Sequence, residues 1–368
     1  MKVLFVGSLQ CGGAEHQMVT VAKLLSLEGY EIFFATYNTD DFYSADLKVS
    51  NVRIVRIPRN KLVTTFRLSI PASILFLYGL VKREKITIGI AFLNEWNFAL
   101  CYISKMMGDK FKSITGLRNA RDSVFLSKRS LFYTKFERYA SLKICNSDNS
   151  KQIFAKYFPQ YADKLRTIYN IVNLPPITSK YIIRKGGKTH FIVPASYREV
   201  KNPFGLLKAL EIMTKDERSK FDISWYGETR QGTLSYYIML KEEVERQGLQ
   251  DTFILKEATN DIANRVNEAD VVALFSSSEG LPNAVCEGMM LGKPVVMTRV
   301  SDYELLTKSN GLLCDWDNPL SIKEVLLQMA SMPEDKLMQM KAVSIEKADR
   351  LFSGKANVEI WKNVIEHC

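Results

Sequence analysis

The chain has 368 residues, 46% of them hydrophobic and 24% charged, with a formal net charge of +10 at neutral pH. That balance excludes a disordered or fibrous chain, and at ~100 to 200 residues per domain the length excludes one ordinary core, so two domains with a cleft between them are expected. Six cysteines, Cys11, Cys101, Cys145, Cys286, Cys314 and Cys368, are scattered without a C-x-x-C pair, which speaks against a disulfide scaffold or zinc site and fits reduced thiols in the cytoplasm.

The amino-terminal run KVLFVGS stops at Gly7 and lacks a small-residue cleavage site, so it reads as a first buried strand and not a signal peptide. Gly12 and Gly13 follow, ahead of a helix expected from Ala14 to Leu27. Two glycines at a helix N-terminus leave backbone N–H groups open to an anion. The fingerprint G-x-G-x-x-G is absent and so is a P-loop, so a plain tight turn is the competing reading. Next come the strands YEIFFATY and NVRIVRIP and a helix near Leu68 to Arg83. The uncharged stretch Leu68 to Val81 is interrupted by Pro71 and falls short of the ~20 apolar residues of a spanning helix, so no transmembrane segment is expected.

ITIGIAFL, KSITGL and LKICNS continue the alternation of near-continuously apolar strands with helical stretches, the pattern of a parallel sheet covered on both faces. Between Lys105 and Lys143 ten basic residues stand against three acidic ones, a local excess of seven positive charges. Phe111, Phe125, Phe132, Tyr133 and Phe136 are interleaved with them. Such a segment suits anionic lipid head groups, nucleic acid or a phosphorylated substrate, or is simply a solvated helix face. No nucleic-acid reader motif accompanies it, so no nucleic-acid partner is expected.

The alternation stalls over residues 170 to 190, rich in proline, glycine and lysine, which reads as an interdomain connection. The expected division is residues 1–172, residues 173–350, and a terminal segment 351–368. A second series follows: FIVPAS, a helix Pro203 to Met213, FDISWYG, a helix Leu234 to Gln247, TFILKE, Asp261 to Glu268, VVALFS, Ala284 to Met290, PVVMT and GLLCDW. No repeat of 20 to 50 residues appears, which excludes a solenoid. In open α/β sheets ligands bind beyond the carboxyl ends of the strands, so the turns after VLFVGS, IVPAS, SWYG and ALFSSS are the places to search.

After FIVPAS, Arg198 and Lys201 lie three apart in a loop that opens a helix, a placement that lets both cations meet a diphosphate; unpaired surface charge is the alternative. After VVALFS, Glu279 begins the turn Gly280, Leu281, Pro282, Asn283, whose backbone N–H groups are expected to be open, and Glu287 is expected in the first turn of the next helix. A carboxylate there can accept both hydroxyls of a ribose. Complementing the helix dipole, worth ~0.3 to 1 kcal/mol, would explain Glu287 but not Glu279. Asp315-Trp316-Asp317 matches a D-x-D metal motif superficially but reads as an acidic turn.

Glu279 and Glu287 around GLPNAVC resemble the E-x7-E motif of the retaining nucleotide-sugar glycosyltransferases with the GT-B fold, the glycogen-synthase-like family four. GGAE at 12 to 15, REVKN, ICNSDNSKQIF, TIYNIVNLP and the stretch GKPVV to DNP are similar to further segments of that family. The resemblance implies an α/β chain of two facing Rossmann-like domains with parallel sheets, and a final helix, Gly354 to His367, crossing back to the first. It implies that Glu287 binds the ribose, Arg198 and Lys201 the diphosphate, and Glu279 with the amides of Gly280 to Asn283 the donor sugar. Gly12 and Gly13 would close from the other domain, and Asn94, Arg118 and Asn119 would face the acceptor. The activity implied is retaining transfer of a hexose or N-acetylhexosamine from a nucleotide diphosphate sugar, a UDP-sugar, to a saccharide or lipid-linked saccharide. No metal or other cofactor is implied. The enzyme would be cytoplasmic, peripheral on an anionic inner membrane face, and part of cell-envelope polysaccharide or glycan assembly. A sugar-nucleotide 2-epimerase and a non-catalytic sugar-nucleotide binder share these features. The chain departs from the family where GRL is replaced by Ala195-Ser196-Tyr197, where FLG is replaced by ILKEA, and where an amino-terminal histidine is expected but only His16, His190 and His367 exist.

Overall fold

The computed structural model describes residues 1–10, 12–37, 42–58, 69–118, 127–230 and 232–368. Expectations placed on Cys11, Leu68, Asn119 and Phe125 lie outside these residues. The chain forms two compact units, one of residues 1–171 with 354–368 and the other of residues 172–353.

The first unit carries a sheet of seven strands: β1 (Lys2–Val6), β2 (Glu31–Thr36), β3 (Arg53–Arg56), β4 (Ile88–Ala91), β5 (Lys112–Leu117), β6 (Leu142–Cys145) and β7 (Leu165–Thr167). Their order is β3-β2-β1-β4-β5-β6-β7, and the paired strands run parallel. The two-residue period of a strand divides its apolar residues between two cores. Val3, Phe5, Ile32, Phe34, Ile88 and Ile90 face one, where helix Gly13–Leu27 supplies Met18, Ala22 and Leu25. Leu4, Val6, Phe33 and Ala35 face the other, where helices Ser69–Glu84 and Asn94–Met107 supply Leu77, Leu80, Leu100 and Ile103. Burial on both faces is why these strands read as continuous apolar runs. β7 has only three residues, too few for any period to show in the sequence.

The final helix, Gly354–Glu366, belongs to this unit. Trp361, 2% exposed, and Ile365 enter the core beside helix Gly13–Leu27. Lys362 Nζ pairs with Glu28 at 2.9 Å, and the Tyr30 hydroxyl donates to Glu366 at 2.6 Å. The Gln17 carboxamide holds the chain where it leaves this unit by accepting from Ile171 N–H at 2.8 Å and donating to Ile171 O at 2.7 Å.

The second unit has a six-stranded sheet of β8 (Thr189–Pro194), β9 (Phe221–Gly227), β10 (Phe253–Glu257), β11 (Val271–Leu274), β12 (Val295–Thr298) and β13 (Gly311–Cys314), ordered β10-β9-β8-β11-β12-β13 and parallel throughout. In each sheet the strand order reverses beside the first strand, at β1/β4 and at β8/β11, the switch points where parallel sheets open a crevice at their carboxyl ends. Residues 172–188, expected as a connection, pack onto this unit. The Tyr181 hydroxyl donates to Asp270 at 3.0 Å, and the buried Lys293 ammonium lies 3.8 Å from the centre of the Tyr181 ring.

Candidate functional site

β8 and β11 are hydrogen-bonded neighbours, with Val271 opposite Phe191, so the loops that leave their carboxyl ends meet although they are far apart in the chain. The first loop turns through Glu199–Lys201 and Asn202, and Pro203 then opens helix Pro203–Glu211, two residues shorter than the expected end at Met213. Asn202 has φ of 60°, a left-handed conformation that asparagine tolerates, and its Nδ2 donates to Trp316 O at 2.6 Å. Tyr197 is fully buried beneath this loop. Its hydroxyl lies 2.9 Å from Trp225 O and 2.8 Å from Lys256 O and accepts from Lys256 N–H at 3.1 Å. The departure from GRL is thus a core anchor that sets the loop, and the charged residue after it, Arg198, is exposed with no side-chain partner among the described residues.

The second loop is clipped to the first. Ser277 N–H donates to Val200 O at 2.9 Å, Thr298 Oγ1 to Ser276 O at 2.6 Å, and Ser301 Oγ to Gly280 O at 2.5 Å. Lys201 Nζ reaches Glu279 Oε1 at 2.5 Å, and the Ser276 hydroxyl donates to the same oxygen at 2.7 Å. The side chains of Lys201 and Glu279 are 25% and 12% exposed, shielded enough for their attraction to exceed that of a surface pair. The pair is not saturated: Glu279 Oε2 and the remaining ammonium hydrogens of Lys201 have no partner among the described residues. Sequence reasoning put Lys201 and Glu279 on different parts of one ligand and missed Ser276, whose only signal was a serine-rich stretch, and Ser301, which had none.

The helix after this loop spans Asn283–Met290, starting one residue earlier than expected. Glu287 therefore lies in its second turn, not its first, and beyond the first turn the helix dipole fades. Burial alone pushes the Glu287 carboxyl up to about 7, and it has no hydrogen-bond or ion partner among the described residues. Gly280, Leu281 and Ala284 likewise donate no backbone hydrogen bond to any described residue. Leu281 is a core residue, 6% exposed, so it can offer a ligand only its N–H. A partly buried carboxyl without a partner and a run of open amides are costly in a folded chain unless a ligand satisfies them.

Asp315 pairs with Arg299 at 3.0 Å in the turn that follows β13. In the first unit Gly12 precedes helix Gly13–Leu27 in extended backbone, φ −172°, with no side-chain cap. Asn94 opens helix Asn94–Met107, and Arg118 directly follows β5; both line a cavity of about 180 Å³. The basic segment does not form one face. Phe111 is 1% and Lys143 4% exposed, inside the fold. Lys105, Lys128, Lys135 and Arg138 are exposed around a cluster of Phe98, Tyr102, Phe132, Phe136 and Tyr139 rings.

Residues 188–331 match the family model described as Glycosyl transferases group 1. The chain is 24% identical over 298 residues, 78% of each chain, to the capsular polysaccharide biosynthesis glycosyltransferase CapH of Staphylococcus aureus. It is 24% identical over 365 residues, 91% of this chain and 90% of the relative, to the N-acetylgalactosamine-N,N'-diacetylbacillosaminyl-diphospho-undecaprenol 4-alpha-N-acetylgalactosaminyltransferase of Campylobacter jejuni. Among solved structures it resembles Anabaena Alr3699/HepE in complex with UDP-glucose, with a TM-score of 0.83, 18% identity and all of both chains covered.

Proposed function

We propose, from the premise that this chain is a glycosyltransferase of the GT-B fold similar to the group 1 glycosyl transferases, that it moves a hexose or N-acetylhexosamine from a UDP-sugar to a lipid-linked saccharide with retention of configuration. The observation that carries this reading is the Lys201–Glu279 pair at 2.5 Å, set between two clipped loops and followed by a Glu287 carboxyl without a partner. The donor class is extended from the Anabaena protein, which binds UDP-glucose, and the acceptor class from the Campylobacter protein, named for a diphospho-undecaprenol substrate.

In this reading the ribose hydroxyls donate to Glu287, and the diphosphate lies against Lys201 and Arg198. The sugar meets Glu279 Oε2 and the amides of Gly280, Leu281 and Asn283. As the bond from the anomeric carbon to the diphosphate breaks, charge grows on the leaving oxygen, and a fixed ammonium stabilises that charge most when it is greatest. The acceptor hydroxyl forms the new bond on the same face and passes its proton to the departing diphosphate. No protein nucleophile is assigned, and the two cations supply the charge neutralisation that a metal supplies elsewhere. The test is an assay of UDP-hexoses and UDP-N-acetylhexosamines with a diphosphate-linked saccharide, with and without chelator, the product anomer being read by NMR. An inverted anomer, a requirement for metal, or free epimerised donor without a transfer product overturns it.

The exposed cations Lys105, Lys128, Lys135 and Arg138, with Met106, Leu131 and Phe132 exposed beside them, are proposed to hold the enzyme on the anionic cytoplasmic face of a membrane. Each such cation near an anionic surface is worth about 1 kcal/mol. Among the described residues no helix is long and apolar enough to cross a membrane.

A further inference from the structure

The cavity of about 180 Å³ in the first unit lies where β4 and β5 end, between Leu93, Asn94, Arg118, helix Lys128–Thr134 and Glu137 beyond it. Arg118 is held there with its hydrogen-bonding capacity only partly met by the described residues. Its guanidinium carbon sits 3.6 Å from the centre of the Phe92 ring, and Nη1 donates to Asn170 Oδ1 at 2.8 Å. Its Nε is closed off from solvent and has no acceptor among the described residues. The carboxylate of the same cavity is already taken, since Glu137 accepts from Lys143 Nζ at 2.6 Å and Thr115 Oγ1 at 2.7 Å. With Glu137 and Lys143 cancelling, the described lining keeps the charge of Arg118. Burial pushes that guanidinium down to about 9, with no carboxylate beside it among the described residues, a cost that a bound anion would offset.

Helix Asn94–Met107 begins at the same cavity. Leu93 O accepts from Trp96 and Asn97, while the N–H groups of Asn94 and Glu95 have no partner among the described residues. Glu95 itself is paired with Arg129. A long helix starting beside a guanidinium that has no carboxylate partner among the described residues combines two elements of oxyanion recognition. The volume is below the ~300 to 1,000 Å³ that holds a whole small molecule, so the cavity takes one group of a larger ligand.

We propose that this cavity binds a phosphoryl oxyanion of the acceptor, with the Arg118 guanidinium and the amides of Asn94 and Glu95 as its donors. The proposal rests on the transferase reading above and names the part of the acceptor that the first unit recognises. The same chemistry is offered by a diphosphate linking saccharide to lipid and by free inorganic pyrophosphate, and the two are separable. Pyrophosphate is titrated calorimetrically into the whole protein saturated with UDP, for the native chain and for Arg118→Gln and Arg118→Lys. Initial rates are then compared for one saccharide carried as a diphosphate-linked lipid or as a neutral alkyl glycoside. Arg118→Gln is expected to weaken pyrophosphate and to raise KM for the diphosphate-linked acceptor by roughly 10- to 100-fold, with KM for the glycoside and for the donor unchanged. Arg118→Lys, which keeps the charge but not the fork, falls between, and carries the test alone should the glutamine variant not fold. Pyrophosphate binding indifferent to residue 118, or an equal rise of KM for both acceptors, overturns the site. Arg118-dependent pyrophosphate binding in a protein without transferase activity would keep the oxyanion site and remove its acceptor; transfer without dependence on Arg118 would do the reverse.

Discussion

Glu287 carries opposing demands that its titration exposes. Burial raises its folded-state value to about 7 from the ordinary 4.5, so the unfolded chain gives up this proton first, and its contribution to stability declines as pH rises from about 4.5 through 7. Glu287→Gln should therefore raise the Tm of the unliganded protein at pH 8 and change it little at pH 4.5. Donor binding should move the other way. Only the ionised carboxylate accepts from both ribose hydroxyls, so native affinity should strengthen as pH rises through about 7 and lie flat in Glu287→Gln, roughly 10- to 100-fold weaker at pH 8. A calorimetric series across that range checks it, and a native profile as flat as the variant's would remove the ribose role. Lys201 belongs to a different step. If it meets charge that develops only on bond breaking, Lys201→Ala should lower kcat by ~100-fold with donor KM little changed, whereas a loss confined to KM would make it a ground-state contact.

Among the helices, two glycines with similar sequence surroundings have opposite roles. A Cβ on Gly288 would stand 2.6 Å from Val272 Cγ1, so the glycine lets helix Asn283–Met290, which carries Glu287, lie directly on β11. Gly79, exposed within helix Ser69–Glu84, would have nothing within 4 Å of a Cβ. Gly288→Ala should lower stability by ~1 to 3 kcal/mol less whatever helix propensity returns, and weaken the donor along with it. Gly79→Ala should raise stability by up to about 1 kcal/mol and leave the donor untouched. Denaturant melts of both variants read these signs, which no count of helix formers would separate.

At the scale of the whole molecule, the chain returns at its end to the unit it began. Trp361→Ala removes a large side chain that is 2% exposed between β1, β4 and helix Gly13–Leu27, at an expected cost of ~3 to 5 kcal/mol to the first unit. Hydrogen exchange should quicken in β1 and β2 and stay unchanged in β8 and β11. The proposed membrane seat is a surface property of the same unit: sedimentation with phosphatidylglycerol vesicles should bind the protein at low salt, less at 0.5 M salt, and much less with Lys128→Glu and Phe132→Asp together. Equal binding to neutral vesicles would remove it. Much of this was legible without coordinates, because a strand buried on both faces must be continuously apolar, a crossover helix must show its own period, and the turns between them fall at the carboxyl ends where ligands bind. The α/β class, the parallel sheets, the loops holding Arg198, Lys201 and Glu279, and a helix carrying Glu287 follow from those local signals. Who touches whom does not, since Lys201 and Glu279 stand 78 residues apart and meet only because β8 and β11 are neighbours in the sheet. The same holds for Tyr197 and Arg118, both of which look like ordinary loop residues in the sequence. Strand order and burial, which depend on the whole folded unit, made one a core anchor and left the other a half-buried cation without a carboxylate partner among the described residues.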